Sequence, residues 1–443
     1  MKKFLLCALC FFLSVGLFAQ AGKKDELVKK NWNFGALPAI TFDTDLGLQY
    51  GALVDMYNYG DGTRYPKYNH KFYIEVSRYT KGSGINRFYY DSDQLIKGLQ
   101  TTIDLSYLSD MAYDFFGFNG YDAVYMADWT DDTSAGYISR MFYKYDRKLF
   151  RFKGDIQGKL TGGNFRWITG WNFQNFKVGS VNTDKLNKGK DDADKLPSTA
   201  DKPGLYEKCQ QWGIISGTET DGGFVPTFKG GVVFDTRDNQ PNPMKGVWTE
   251  TVIEVSPEIL GAENSFSKLS LTHRQYFTLI PDNLSLVYRL GYQSTLSGKV
   301  PFYYQSQVIT SFMTGETSEG LGGATTIRGI LRNRVIGDGI FYGNVEARWK
   351  VVRFNFIKNN FYLGLSGFTD FGRVTKKIPI NTNVTMGLPG EYLKSDAEKM
   401  HYSYGAGLVI AMNENFVFAM DYGKAANLQD GKSGFYMNLN YLF

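Results

Sequence analysis

Between Phe341 and Val351 the chain alternates without interruption: Phe341, Gly343, Val345, Ala347, Trp349 and Val351 occupy one parity, and Tyr342, Asn344, Glu346, Arg348 and Lys350 the other. A period of two with one apolar and one charged face is a strand with different solvents on its two sides. The pattern recurs. Leu284, Leu286, Tyr288, Leu290 and Tyr292 alternate with Asn283, Ser285, Val287, Arg289 and Gly291, and Pro281-Asp282 makes a short turn from a preceding strand, Ser267 to Leu279. In the last segment Phe435, Met437, Leu439, Tyr441 and Phe443 share one face, opposite Tyr436, Asn438, Asn440 and Leu442. The expectation is an all-β chain, a transmembrane antiparallel β-barrel with lipid outside and water within.

Composition supports this reading. Aromatic residues make up 16% of the chain, with 30 Tyr and 34 Phe, and Gly accounts for 49 of 443 residues. Such proportions suit aromatic girdles and turns. The chain past its first segment has no apolar run long enough to span a bilayer as a helix. A net charge of +5, dispersed along the chain, gives no reason to expect nucleic acid as a partner.

Lys2 and Lys3, the apolar run Phe4 to Phe18 and the small residues of Ala19-Gln20-Ala21 read as a removable signal peptide over residues 1–21. A short segment, 22–33, then leads into a barrel domain, 34–443. Cys7 and Cys10 fall within the leader, which leaves Cys209 without a disulfide partner. Long polar connections at 179–222, 298–336 and 374–400, against shorter turns elsewhere, match extracellular loops and periplasmic turns. The length allows about 14 to 18 strands, and sixteen is expected.

Three motifs add a resemblance. Phe234-Asp235-Thr236-Arg237-Asp238-Asn239 followed by Pro241, Pro243 and Gly246, then Gly322-Gly323 leading into Ile327-Arg328-Gly329-Ile330, then Phe368-Thr369-Asp370-Phe371-Gly372 resemble, in order, the motifs of the bacterial surface antigen superfamily of BamA/TamA-like outer-membrane barrels. The resemblance covers the C-terminal half. It implies sixteen strands, with an extracellular loop folded into the lumen and its Arg paired to acids on nearby strands. Carried over by position, these are Arg328, Gly329 and Asp370, with Glu346 as the second acid. Parity agrees independently: Glu346 lies on the polar face of its strand, and Asp370 shares a face with Gly364 and Ser366, opposite Phe361, Leu363 and Leu365. The resemblance also makes Phe443, with Tyr441 on the same stripe, an assembly signal. It implies a bacterial outer-membrane location, surrounding lipid, possible periplasmic or lipoprotein partners and client outer-membrane proteins.

Two departures stand out. Ile330 occupies a position that is usually aromatic in the loop motif, and the stretch ahead of the first strand is too short for a polypeptide-transport-associated (POTRA) domain. The function expected is accessory to insertion, assembly or translocation of outer-membrane or surface proteins. The alternative is a diffusion channel or specific uptake pore.

No catalytic residue, cofactor or metal is expected. His70, His273 and His401 stand apart in sequence, and His273 shares the apolar parity of Leu269, Leu271 and Phe277. Asp235, Arg237 and Asp238, at a strand end beside Pro and Gly, suit a turn-locking ion pair or cap better than a cation site. A first strand of about Gly35 to Asp43 should pair sparsely with the last, because Pro38 offers no N–H.

Overall fold

The computed structural model describes residues 28–443 except 39, 44–46, 161–162, 311–319, 358, 381–389 and 415. The leader expected at 1–21 lies outside the described residues. Seventeen strand segments follow one another: β1 (Trp32–Pro38), β2 (Thr41–Asp43), β3 (Gly47–Asn58), β4 (His70–Tyr79), β5 (Ser83–Ile96), β6 (Leu99–Asp114), β7 (Lys144–Lys159), β8 (Phe165–Gly179), β9 (Gly222–Asp235), β10 (Gly246–Ser256), β11 (Phe266–Ile280), β12 (Leu284–Gly298), β13 (Gly339–Phe356), β14 (Asn359–Lys376), β15 (His401–Met412), β16 (Phe416–Ala425) and β17 (Ser433–Leu439). β1 and β2 both pair with β3 and form one interrupted strand, so the sheet counts as sixteen. Every sequential neighbour pairs antiparallel, and Tyr436 of β17 pairs with Asp43 of β2, closing the ring into a barrel. The all-β barrel read from the alternation, with the sixteen strands expected from the length and the resemblance, is the one observed.

The two ends differ for a local reason. At one end the chain reverses in short turns that require positive φ, as at Asp282, Ile357, and Asn413 with Glu414. At the other end lie connections 180–221, 299–338 and 377–400, close to the expected spans, and a fourth, 115–143, that the sequence did not announce. That fourth loop is rich in Phe and Tyr. Phe115 of this loop meets Phe118 of the same loop, Tyr206 of the second connection and Phe302 of the third edge to face, so its aromatics join three connections at the loop end.

Outward-facing apolar side chains such as Leu105, Phe150, Phe228, Ile253, Leu286 and Trp349 are exposed on the protein, as a lipid-facing band requires. Among the described residues no helix is long and apolar enough to cross a membrane. The inward parity carries ion pairs, including Arg87–Asp104 (2.6 Å), Arg147–Asp110 (2.6 Å) and Lys229–Asp155 (2.7 Å). A barrel of this size leaves an aqueous channel when empty. Here residues 302–310 and 320–338 of the connection after β12 run into the lumen. A cavity lined by Arg151, Lys153, Lys229 and Glu254 of the wall and by Tyr304 and Gln307 of this connection measures about 20 Å³, the room of roughly one water.

The last strand corrects the expectation. β17 stops at Leu439, because Asn440 adopts φ 71° and turns the chain off the wall. Tyr441 and Phe443, expected on the lipid stripe, are buried in the lumen instead.

Candidate functional site: the lumen lock and the seam

Arg328 is 1% exposed and lies at the tip of the inward loop. Its Nε and Nη2 donate to the two oxygens of Asp370 (3.0 and 3.1 Å), and its backbone N–H also donates to Asp370 (3.0 Å). Nη1 reaches Glu346 (3.1 Å) and Asp421 (3.2 Å). A planar fork serves one carboxylate with two parallel bonds and still has a nitrogen for two more acids, a geometry lysine cannot reproduce. Three strands therefore converge on one guanidinium: β13 through Glu346, β14 through Asp370 and β16 through Asp421.

The flanking motif residues follow from the same packing. Phe368 points inward and lies flat against the guanidinium, its ring centre 3.4 Å from Arg328 Cζ. Gly372, two residues beyond Asp370, leaves space for the loop, since a Cβ there would sit 2.7 Å from Ile327 and 2.9 Å from Leu321. Gly329 has φ 88°, and a Cβ on it would sit 2.5 Å from the carbonyl carbon of Gly423. Two backbones meet where no side chain fits. Replacing Gly329 with alanine is expected to cost about 1–3 kcal/mol, and limited proteolysis should then cut within 320–338 while the barrel strands stay protected.

Ile330 takes no part in stacking. It is buried with Leu321, Ile327, Val335, Ile340 and Val374, so aliphatic packing fills the place of the usual aromatic. Asp421 was missed by sequence reasoning. The alternation of Phe416, Phe418, Met420 and Tyr422 around it was the signal that places it inside. Arg332 and Arg334 were missed as well. Arg332 donates to Asp114 (2.8 Å), and Arg334 donates to the carbonyls of Gly120, Ala123 and Gln429 (2.9, 3.0 and 2.8 Å), tying the lumen loop to the outer loops.

His401 is not isolated in space. Its Nδ1 lies 2.6 Å from Asp430 and its Nε2 3.2 Å from Glu398, and Tyr121 stacks on the ring at 3.8 Å. The pairing joins loops far apart in sequence. His273 faces outward, where it bonds Thr249 (2.7 Å) and Tyr288 (3.2 Å). Among the described residues no group of His, Cys, Asp and Glu is arranged to hold a metal.

At the turn end, Asp235 accepts from the backbone N–H and the Nε of Arg237 (3.1 and 3.0 Å), and the guanidinium covers the Trp248 ring at 4.4 Å. Asp238 accepts from the N–H groups of Asn239 and Met244 (2.9 and 3.0 Å), and Gly246 takes φ 107° against the backbone at Thr236 and Arg237. These contacts fix a turn. Asn242 at its tip donates to Glu414 (2.6 Å) across the opening.

The seam is sparse. The ladder between β12 and β13 runs unbroken from Leu284↔Trp349 to Ser294↔Gly339, whereas among the described residues β17 and β2 share the single pair Tyr436↔Asp43. Pro38 ends β1 and is paired on its other side, with Ala52 of β3. The seam and the lock are connected: the backbone N–H of Gly329 donates to Tyr436 Oη (3.2 Å). On the lumen side, Tyr441 Oη meets Tyr362 Oη (3.1 Å), and Arg348, which also donates to Glu346 (2.9 Å), donates to the backbone oxygen of Phe443 (3.1 Å).

Sixteen strands, an inward loop pinned by one Arg to acids of the wall, and a seam with one backbone pair among the described residues define a lumen-locked transmembrane barrel. The Omp85 superfamily domain matches residues 67–443, and the chain belongs to that superfamily. Among solved structures it is similar in fold to BamA from Haemophilus ducreyi lacking POTRA domains 1–3, with a TM-score of 0.51 at 14% identity, covering 93% of this chain and 71% of that one. It is likewise similar to CdiB from Escherichia coli, with a TM-score of 0.51 at 8% identity, covering 93% of this chain and 63% of that one. No curated protein sequence matches the chain.

Proposed function

We propose that the chain resides in the bacterial outer membrane, long loops outward, and assists insertion, assembly or translocation of outer-membrane or surface proteins by opening between β2 and β17. Periplasmic or lipoprotein partners supply client capture in this reading. The observation that carries it is the seam: among the described residues β2 and β17 share one backbone pair, where β12 and β13 share a long unbroken ladder. Strand edges with free N–H and C=O groups are templates for another strand. The inward loop weighs against a standing diffusion pore, since Arg328 pins it to acids of the wall across the space a solute would cross.

The test is a crosslink. Extending the observed register past Tyr436↔Asp43 sets Met437 opposite Phe42 and Leu439 opposite Ile40. Cysteines at Phe42 and Met437 therefore suit a disulfide better than Ile40 with Met437, which are offset by two residues. Burial pushes the Cys209 thiol well above the usual thiol range, so it stays out of the exchange. Oxidised F42C/M437C barrel is expected to lose surface-protein assembly in cells that depend on this chain, and to recover it on reduction. Normal assembly by the locked barrel rules out lateral opening.

A further inference from the structure

Lys148 of β7 and Lys177 of β8 are paired directly opposite each other in the sheet, both exposed on the outer face near the loop end. Like charges across a ladder repel, with side chains rooted only about 5 Å apart. Compensation within the chain is thin. Asp146 lies 3.6 Å from the Lys148 ammonium, and among the described residues no carboxylate lies within salt-bridge distance of Lys177. On the outer parity of β6 to β9, Asp146 is the one acid.

The surroundings suit an amphiphile. Ser109 faces Lys148 from β6 and Gly222 faces Lys177 from β9, so small residues flank the two ammonium groups on both sides. The next outward row toward the turn end is Tyr107, Phe150, Asn175 and Phe224, and the row after it is Leu105, Phe152, Phe173 and Pro226. Two cations therefore stand at the upper edge of an aromatic and aliphatic wall. A phosphate between the lysines would replace repulsion by two charge-assisted hydrogen bonds while acyl chains lie along the rings below.

We propose that Lys148 and Lys177 form a headgroup site for a phosphate-bearing glycolipid of the outer leaflet, held on the flank of the barrel away from the seam. The site depends on the orientation adopted above, with the long loops outward, and not on any assembly activity.

The experiment uses the full chain folded in detergent and incubated with diphosphorylated lipid A, its dephosphorylated form, or phosphatidylglycerol, with bound lipid counted by native mass spectrometry. The unaltered protein is expected to retain about tenfold more diphosphorylated lipid A than K148Q/K177Q, while R373Q/K424Q, which removes two other exposed cations near the loop end, retains it at the unaltered level. Heat-modifiability confirms that both variants are folded. Equal retention by K148Q/K177Q overturns the site. So does an equal loss in R373Q/K424Q, which would indicate diffuse charge, or undiminished binding of the dephosphorylated form. Displacement by equimolar phosphatidylglycerol also overturns it, since the ligand would then be a glycerophospholipid.

Discussion

Arg328→Ala is expected to destabilise the loaded lumen by about 3–5 kcal/mol, the cost of leaving buried charge without its partner. Three carboxylates converge on this guanidinium, at 3.0, 3.1 and 3.2 Å, and once it is gone only Glu346 keeps a cation among the described residues, Arg348 at 2.9 Å, while Asp370 and Asp421 lose their ion pair. Loop 320–338 should leave the lumen, visible as new proteolytic cleavage and as ion conductance in planar bilayers where the unaltered barrel conducts little. Arg328→Lys should fall close to alanine, because an ammonium cannot bond both oxygens of Asp370 and still reach Glu346 and Asp421. The sharper measurement is a double-mutant cycle. Asp370→Asn should be costly alone and add far less in an Arg328→Ala background, whereas strictly additive effects would mean that the two side chains do not act as a unit.

Phe443→Ala is expected to weaken the finished barrel as well as its assembly. On a lipid-facing stripe the ring would contribute only part of the roughly 1.5–3 kcal/mol of a fully buried Phe. In the lumen Phe443 is 7% exposed, beside Tyr276 at 6.3 Å and with the guanidinium carbons of Arg289 and Arg348 at 5.2 and 4.9 Å from its ring centre. Truncating such a ring costs about 3–5 kcal/mol. Refolding into detergent, with no cellular machinery present, should therefore give a barrel that loses its heat-modifiable form at a lower temperature, and outer-membrane levels should fall in cells too. A variant that refolds and melts normally in detergent but fails to accumulate in cells would reduce Phe443 to a recognition tag, and one normal in both settings would remove it from either role.

Much of the site was legible because strand parity is local. Glu346 and Asp370 had to face the lumen once their strands were recognised, and the spacing of Phe368, Asp370 and Gly372 puts stacking ring, acid and gap on one inward line. Asp421 was readable by the same rule, and was passed over because no motif drew attention to β16. His401 was not readable that way. Its partners, Glu398 and Asp430, come from two loops, and a loop's path carries no periodicity.

The sequence by itself determined the alternation, hence an antiparallel barrel of about this size, the lumen parity of the acids and the Arg that could join them, since a side chain's face follows from its position modulo two. The tertiary structure decided where that alternation stops. Asn440 carries no mark distinguishing it from Asn438, and continuing the strand would have kept Tyr441 and Phe443 on the lipid side. One left-handed residue reverses that outcome, and it is held by long-range contacts that no local pattern contains: Tyr441 with Tyr362, and Phe443 among Tyr276, Arg289 and Arg348. The same departure leaves β1 without a partner on the seam side, since the register of Tyr436 with Asp43 would have set Tyr441 opposite Pro38.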